Sequence, residues 1–263
     1  MAVILDSLTH ITPDGRWFGQ ECDASEERLL RELEAARVDR AVVVALAGYI
    51  SNEFVLEVCQ RHPDRLIPGA SFNPAGFATE KQAVAEFRSQ LHESPFKVLK
   101  LHPRFNRYDP LDPRCLAVLE EVASWRVPLP IWMDSLFYFQ GGVLRRSVVD
   151  TIHEIVGRFP SLDFVMLHSG GPWALHVADA IRDCPNGFLD LSFILSRYRG
   201  SSLWGDLRYL LDTFDRRMVF GSDFPEVSIG ESLSCFRDMA GKISTDKCDN
   251  VLGINLSAIL SRE

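Results

Sequence analysis

The stretch LDFVMLHSGG, residues 162–171, shows the pattern that decides the fold, because an apolar run in it ends at a polar side chain and two glycines. A short and nearly continuous apolar run is typical of a strand that is buried on both faces, as in a parallel sheet. Similar runs recur along the whole chain. They predict strands at residues 3–6, 40–45, 66–71, 96–101, 129–133, 162–167, 187–193 and 218–221.

Amphipathic segments separate these strands, and their apolar spacing is that of helices with one buried face. An example is EERLLRELEAA, residues 26–36. Further helices are predicted at residues 52–60, 80–92, 115–125, 148–157, 173–182, 202–213 and 233–240. Repeated strand and helix units in a chain of this length predict a single (β/α)8 TIM barrel, with an open doubly wound sheet as the alternative. No linker divides the sequence, so one domain over residues 1–263 is expected.

The composition limits the class of protein. The chain has 263 residues, of which 46% are hydrophobic and 24% charged, and this predicts a large buried core. Its net charge of −8 is spread along the sequence without a basic tract, so nucleic acid is not an expected partner. No apolar run approaches the roughly 20 residues of a membrane span, and the first residues do not resemble a signal peptide.

The six cysteines include no Cys-x-x-Cys pair, which argues against a zinc knuckle and a compact disulfide framework. A reducing cytoplasm is the expected compartment. We therefore expect a cytoplasmic protein that acts on a small molecule, with no membrane partner. Whether it forms a homo-oligomer is left open.

Polar side chains follow the predicted strands at the end where a barrel carries its active site. Because all these strand ends surround one pocket, residues far apart in the sequence are expected to converge there. The candidates are His10, Lys100, His102, Asp134, His168, Ser192 and Asp223. Three have structural alternatives: Asp223 as a helix cap, His168 as a buried core residue, and His102, which precedes a proline, as a turn residue.

The first strand leads into LDSLTH, residues 5–10, where the side chains of residues 6, 8 and 10 are expected to point the same way. An Asp-x-His-x-His sequence at this place would present two imidazoles to one divalent cation. Here Leu8 stands where the first imidazole would be, and only His10 remains.

Segments in a fixed order carry a resemblance to a known family: LDSLTH, VLKLHPRF, VPLPIWMD, RFPSLDFVMLHSGG, VFGSDFP and VLGINLSAIL. Together they resemble the amidohydrolase-related family of metal-dependent (β/α)8 hydrolases and decarboxylases, over nearly the whole chain. The resemblance implies a divalent metal held by two histidines after the first strand, a histidine after the fifth and an aspartate after the eighth. It also implies that His10 matches the second histidine, Asp223 the aspartate, and His168 a sixth-strand histidine that assists proton transfer.

Two positions depart from this implied metal site. Leu8 replaces the first ligand, and Trp132, or Met133 in a register shifted by one, replaces the fifth-strand histidine. Two ligands then remain, whereas a catalytic zinc site takes about three from the protein. The expected cofactor is therefore either none or one divalent metal such as zinc. In the second case a rearranged site would use His10, His168 and Asp223, with His102 as an alternative ligand.

We predict a hydrolase that works by acid–base chemistry with little or no dependence on a bound metal. Asp223 would act as general base on water, and His168 would donate or accept the second proton near neutral pH. A lactone carbonyl is already electrophilic and needs less Lewis-acid help than an amide. This favours hydrolysis of a lactone or similar ester of a small organic acid. The resemblance implies the same, because some relatives look like metal-independent lactonases or lactone isomerases.

Cationic side chains near the predicted pocket suit an acidic substrate. Lys100 and Arg104 would bind a carboxylate or stabilise an oxyanion, Arg104 through a planar two-point contact. Further predicted substrate contacts are His102, Trp132, Asp134, Tyr138 and Ser192. Tyr138 lies in LFYFQGG, residues 136–142, an aromatic segment that we interpret either as a lid or as an oligomer contact.

Other catalytic signatures, those of serine hydrolases, zincins, phosphate-loop proteins and dinucleotide-binding proteins, are absent from the sequence. Two alternatives to a metal-independent hydrolase remain. One is a metal-dependent decarboxylase or hydrolase with a rearranged metal site. The other is a non-catalytic binding protein that kept the barrel and lost its chemistry. The presence of His10, His168 and Asp223 argues against a fully decayed site.

Overall fold

The computed structural model describes residues 3–137 and 147–261. Its strands are β1 (Leu5–Thr9), β2 (Arg40–Val44), β3 (Leu66–Phe72), β4 (Val98–Leu101), β5 (Ile131–Asp134), β6 (Phe164–Leu167), β7 (Gly187–Asp190) and β8 (Met218–Val219). They form one sheet in which each strand pairs in parallel with the next along the chain. Its order, β1 to β8 without a reversal, confirms the predicted barrel and excludes the doubly wound alternative, whose strand order reverses.

Backbone hydrogen bonds join the last strand region to the first. The amide of Ser7 donates to the carbonyl of Phe220 at 2.9 Å, and the amide of His10 donates to the carbonyl of Phe224 at 2.7 Å. A further bridge pairs Thr9 with Phe224 in parallel. The sheet therefore closes on itself, so that the ends of all strands surround one common site.

Helices cover the outside of the barrel. They are α1 (Glu26–Ala36), α2 (Asn52–Arg61), α3 (Glu80–Leu91), α4 (Pro103–Asn106), α5 (Pro113–Ala123), α6 (Val148–Arg158), α7 (Ala174–Ala180), α8 (Ile194–Arg197), α9 (Leu203–Thr213), α10 (Ile229–Ala240), α11 (Thr245–Asp249) and α12 (Asn255–Leu260). Serine or threonine caps begin several of them; Ser25, for example, accepts a hydrogen bond from the amide of Arg28. None of the helices in the described residues is long and apolar enough to cross a membrane.

The barrel interior is a packed core. Its members come from alternate positions of the strands and from the last helix: Leu5, Leu8, Val42, Val44, Ile67, Val98, Trp132, Val165, Leu167, Phe188, Val219, Leu256 and Ile259. The indole of Trp132 is fully buried there, and its Nε1 donates to the carbonyl of Ser7 at 2.8 Å. The strands are thus buried on both faces, which is why they appear in the sequence as continuous apolar runs.

The strand boundaries differ from the sequence prediction by a few residues, and the differences in β1, β7 and β8 affect the site. Strand β1 extends to Thr9 and has a register shift against β2 between Asp6 and Thr9. The side chains of residues 6, 8 and 10 therefore do not all point the same way, contrary to the sequence prediction. Leu8 lies in the same interior cluster as Leu5, three residues earlier. Strand β7 ends at Asp190, and β8 at Val219, so the polar residues that follow lie in loops.

The C-terminal segment closes the bottom of the barrel. Gly253 lies against the first strand region so closely that an added Cβ would be 1.9 Å from the carbonyl oxygen of Val3. Because the obstacle is backbone, it cannot rotate away as a side chain would. Only glycine fits at this contact.

We expect Gly253→Ala to lower the free energy of unfolding by about 1–3 kcal/mol through overpacking against the backbone. Urea denaturation of the parent and variant measures the difference. Gly157→Ala is the matched control, because a Cβ at Gly157, inside α6, meets nothing within 4 Å. A Gly253→Ala protein as stable as the control would contradict this account of the closure.

Candidate active site

A cavity of about 570 Å³ opens at the carboxyl ends of the strands, where a (β/α)8 barrel places its chemistry. Both charged and aromatic side chains surround it. The lining residues are His10, Trp17, Phe18, Leu46, Lys100, His102, Arg104, Phe105, Arg107, Leu136, His168, Phe193, Asp223 and Glu226. Residues from seven of the eight strand ends or the loops that follow them thus meet at one place.

His10 and Lys100 form the central contact of the cavity. The Nζ of Lys100, at the end of β4, lies 2.9 Å from Nε2 of His10, which follows β1. The other ring nitrogen, Nδ1, lies 2.7 Å from the carbonyl oxygen of Val44 and must donate to it. Nε2 therefore carries the lone pair and accepts a hydrogen bond from the amino group of Lys100. Trp17 stacks on the His10 ring with 5.4 Å between ring centroids, which fixes the plane of the imidazole.

Burial controls the charge of this pair. Both side chains are almost fully buried, at 2% exposure for each residue. Burial, with the nearby Lys100, holds the pKa of His10 well below its usual value, so its imidazole is neutral. Burial also lowers the pKa of Lys100 to about 8, although the charges of Asp223 and Asp134 oppose that change. Lys100 is therefore a cation at neutral pH that loses its proton under mildly alkaline conditions.

Asp134 is a buried carboxylate that lies close to Arg104, His102 and His168. Its Oδ2 lies 3.2 Å from a terminal guanidinium nitrogen of Arg104, 3.5 Å from Nε2 of His102 and 3.6 Å from Nε2 of His168. Burial alone would raise the pKa of Asp134, but His102 and Arg104 outweigh it and hold this pKa well below its usual range. The carboxylate stays ionised and anchors three side chains of the cavity wall.

His168 is held on both sides of its ring. Its Nδ1 lies 3.2 Å from the carbonyl oxygen of Ser192 and 3.0 Å from the Ser192 hydroxyl, while Nε2 faces Asp134. Its own amide donates to Asp190 at 3.0 Å, with the backbone in the left-handed region at φ 62°. Burial lowers the pKa of His168, but the carboxylates of Asp134, Asp223 and Asp190 more than compensate and raise it overall. The imidazole can therefore carry a proton near neutral pH.

Asp223 presents its carboxylate to the cavity. Its backbone is also left-handed, at φ 67°, and its amide donates to the carbonyl of Leu8 at 3.0 Å. Within the described residues its carboxylate has no hydrogen bond or ion pair. Burial raises the pKa of Asp223, against the opposing effects of His168 and Lys100. The capping alternative does not hold, because α10 begins after Ser228, whose hydroxyl accepts from the amide of Glu231.

The structure separates the predicted site residues into groups. Six line the cavity: His10, Lys100, His102, Arg104, His168 and Asp223. Asp134 and Ser192 are fully buried behind it, where they bind other side chains of the site. Trp132 lies deeper, in the barrel interior, so a substrate contact for it, as predicted from sequence, has no support in this geometry. Tyr138 and most of the aromatic segment fall outside the described residues.

Sequence reasoning did not identify Asp190, which organises the floor of the site. Its Oδ1 accepts hydrogen bonds from the amides of His168 and Ser192, and Oδ2 accepts from the hydroxyl of Ser7 at 2.5 Å. The predicted strand at residues 187–193 ran past Asp190 and so hid its place at a strand end. Also missed were the lining residues Trp17, Arg107, Phe193 and Glu226, none of which belongs to a recognisable motif.

The donor set does not fit the metal site that the resemblance implies. Nε2 of His10, the nitrogen that would face the metal, is taken by the amino group of Lys100. Leu8 and Trp132 pack in the apolar interior instead of supplying ligands. In the part of the chain that the structure describes, no group of three or more His, Cys, Asp or Glu side chains is arranged to hold a metal ion. Of the implied first-strand histidine pair only His10 is present, and Lys100 contacts it.

The amidohydrolase family model matches residues 10–252, which is most of the chain. This chain belongs to the amidohydrolase family. Within that family it is a member with two substituted metal-ligand positions. No curated protein matches the sequence.

Solved structures of low sequence identity share the fold of this amidohydrolase. An uncharacterised TIM-barrel protein from Bordetella bronchiseptica is 21% identical, with a TM-score of 0.76 and 98% of each chain covered. A probable 2-pyrone-4,6-dicarboxylic acid hydrolase from Acinetobacter baumannii, with citric acid bound, is 14% identical, with a TM-score of 0.68 and 98% of each chain covered. A dihydroxybenzoic acid decarboxylase from Polaromonas sp. JS666, with manganese and 2-nitroresorcinol bound, is 13% identical, with a TM-score of 0.70 and coverage of 99% and 97%.

Asp6, beneath the site, has an unusual environment for a carboxyl group. Its Oδ1 accepts from the amides of Leu8 and Ser222, but its Oδ2 is buried and has no hydrogen-bond partner within the described residues. Burial raises the pKa of Asp6 to about 7. A folded-state pKa above the unfolded value stabilises the fold at low pH, and that stabilisation is lost as the pH rises through the folded-state pKa.

We therefore expect the parent protein to lose about 2 kcal/mol more than Asp6→Asn in free energy of unfolding between pH 5 and pH 8. Denaturant titrations at both pH values measure this difference. Asp64→Asn, at an exposed position, removes the same charge as a control. The same pH dependence in parent and Asp6→Asn would show that Asp6 is ionised throughout this range.

Proposed function

We propose that this amidohydrolase hydrolyses a lactone or similar ester of a small organic acid by acid–base chemistry, with Lys100 in the part that a metal plays in typical relatives. The observation that carries the proposal is the 2.9 Å contact between Nζ of Lys100 and Nε2 of His10. It puts a positive charge beside the one remaining histidine of the first-strand pair. A cation there can polarise a carbonyl and stabilise an oxyanion, as a Lewis acid would.

The acid and the base of the reaction are His168 and Asp223. Asp223, ionised and facing the cavity, takes a proton from water as the water oxygen attacks the carbonyl carbon. The negative charge that forms on the carbonyl oxygen is stabilised by the ammonium of Lys100. When the carbonyl re-forms, the ring C–O bond breaks and the leaving oxygen takes a proton from His168. Nearby carboxylates raise the pKa of His168, which favours its protonated form as the acid, and burial raises the pKa of Asp223, which makes its carboxylate a stronger base.

The cations of the cavity wall favour a substrate that carries a carboxylate. Arg107, exposed at the rim, has no ion pair within the described residues. Arg104 is half exposed and shares its charge with Asp134. Since the chain as a whole has a net charge of −8, attraction of an anion would come from these local cations and not from the overall field. The citric acid bound to the Acinetobacter hydrolase is consistent with an acidic ligand in this fold.

We expect Asp223→Asn to lower kcat by a factor of about 10²–10⁴ while the protein stays folded, because the amide keeps the shape and loses the base. The measurement is lactone hydrolysis, followed with a pH indicator, on a panel of carboxylated γ-lactones, δ-lactones and pyrones. Glu226→Gln removes a carboxylate from the rim of the same cavity and should have a much smaller effect. Equal kinetics for Asp223→Asn and the parent would overturn the proposal.

The role of Lys100 predicts how activity responds to metals. We expect the parent to keep its activity after treatment with EDTA and to gain nothing from added zinc or manganese. Lys100→Met should lower kcat about 10²–10³-fold, the typical effect of removing one oxyanion donor. Loss of parent activity with EDTA and its recovery with one equivalent of manganese would favour a metal-dependent hydrolase or decarboxylase.

A third result would identify a binding protein. If no lactone is hydrolysed and no aromatic acid is decarboxylated, but small acids raise the thermal stability of the parent, the barrel binds its ligand without turnover. Arg107→Ala should weaken such binding, since the guanidinium of Arg107 has no ion pair among the residues that the structure describes.

A further inference from the structure

We infer that Asp190 and Ser192 are positioning residues that fix the tautomer of His168, so that its Nδ1 keeps a hydrogen and its Nε2 exchanges protons with the substrate. This deepens the proposed function, because it rests on His168 as the acid of that reaction. It also places the leaving oxygen of the substrate beside Nε2.

The Oδ1 atom of Asp190 is a hydrogen-bond acceptor for three groups. The amides of His168 and Ser192 each donate to it at 3.0 Å, and the hydroxyl of Ser192 lies against it as well. An amide N–H is always a donor, so an oxygen that accepts from two amides has no room for a hydrogen of its own. Any proton on this carboxyl group would lie on Oδ2, which faces the hydroxyl of Ser7. The hydroxyl of Ser192 therefore donates to Oδ1.

The direction of the Ser192 hydroxyl decides which nitrogen of His168 carries the hydrogen. Nδ1 lies 3.0 Å from Oγ of Ser192 and 3.2 Å from the carbonyl oxygen of the same residue. Since the one hydrogen of Oγ points at Asp190, Oγ presents a lone pair to the ring, and the carbonyl oxygen can only accept. Both neighbours of Nδ1 are acceptors. Nδ1 therefore carries a hydrogen in the neutral imidazole as well as in the imidazolium.

Nε2 is then the ring nitrogen that gains and loses the proton. It faces Oδ2 of Asp134 at 3.6 Å, which is longer than a hydrogen bond, and the His168 side chain lines the cavity. A leaving oxygen takes its proton at this nitrogen. With its carbonyl oxygen at Lys100, the substrate thus has its leaving oxygen on the side of the cavity where Asp134 holds Arg104.

Asp190 also holds His168 in a backbone conformation that side chains rarely adopt. His168 and Ser169 are both left-handed, at φ 62° and 50°, although neither is a glycine. The carboxylate of Asp190 accepts from the amide of His168, and its carbonyl accepts from the hydroxyl of Ser169 at 2.6 Å. Gly221, after β8, leaves room for this carboxylate, because a Cβ there would lie 2.7 Å from Oδ2 of Asp190. The position of the imidazole therefore depends on the ends of β7 and β8.

The experiment is NMR of the imidazoles in the whole protein labelled with ¹⁵N-histidine, at alkaline pH where the rings are neutral. The signals of His168 are those that a His168→Gln variant lacks. The nitrogen shifts, with the couplings to the hydrogens on the ring carbons, distinguish a nitrogen that carries hydrogen from one that carries a lone pair. We expect hydrogen on Nδ1 of His168 in the parent. Hydrogen on Nε2 would overturn the inference without any further variant.

Substitutions then test the two positioning residues. Ser192→Ala removes one of the two acceptors of Nδ1, so the ratio of the Nδ1–H to the Nε2–H tautomer should fall by about 3–10-fold, the effect of one hydrogen bond. Asp190→Asn keeps an oxygen that accepts from the two amides, and its ratio should match that of the parent. Ser169→Ala is the matched control, because it removes an equally buried hydroxyl that donates to the Asp190 carbonyl and not to the imidazole. An unchanged ratio in Ser192→Ala, or an equal fall in Ser169→Ala, would contradict the role of Ser192.

Kinetics separate this inference from the proposed function. On a lactone that the parent hydrolyses, Ser192→Ala should lower kcat by about 3–10-fold and leave KM within about twofold, because the acid is oriented less well while the substrate loses no contact. If no lactone is hydrolysed but the tautomers behave as expected, the proposed function fails and the positioning role stands. If lactones are hydrolysed and Ser192→Ala changes neither the tautomer nor kcat, the positioning role fails and the proposed function stands.

Discussion

The balance of buried charge around Lys100 is the constraint on which the site depends. Three aspartates lie near one another: Asp134 and Asp190 are fully buried, and Asp223 is partly exposed where it lines the cavity. Unpaired buried charges are costly, so the folded protein needs compensating cations at the same place. Arg104 compensates Asp134 directly, while Lys100 and a protonated His168 compensate the rest.

The same charges explain why the carboxyl groups of Asp134 and Asp223 differ in pKa. Asp134 is held ionised by the cations against it, whereas Asp223, with no hydrogen-bonding partner in the described residues, has a raised pKa. Two carboxyl groups in one pocket therefore differ in their tendency to hold a proton. Such separation is what acid–base catalysis requires, because one group must stay charged while another exchanges protons.

Much of the fold was predictable from the sequence, because strands buried on both faces must be continuously apolar. The runs that became β2 and β6 are examples, and the closing order of the strands follows from short connections through helices. The strand ends were less predictable. Asp190 was concealed inside an apolar run, and the turn at Phe193, with φ 64°, has no sequence signal such as glycine. Whether a residue reaches the active-site end of a barrel depends on where its strand ends, and tertiary contacts determine that end.

The side chains at the two substituted ligand positions, Leu8 and Trp132, were also hard to place from the sequence. From the sequence, Trp132 was predicted at a strand end as a substrate contact, whereas its side chain lies in the barrel interior. Its indole donates to the Ser7 carbonyl and packs with Leu8, so the two substitutions fill one apolar space together. An ammonium held by His10 has a smaller charge than a divalent ion and polarises a carbonyl less strongly. A site built on it suits carbonyl groups that are reactive already, such as those of lactones.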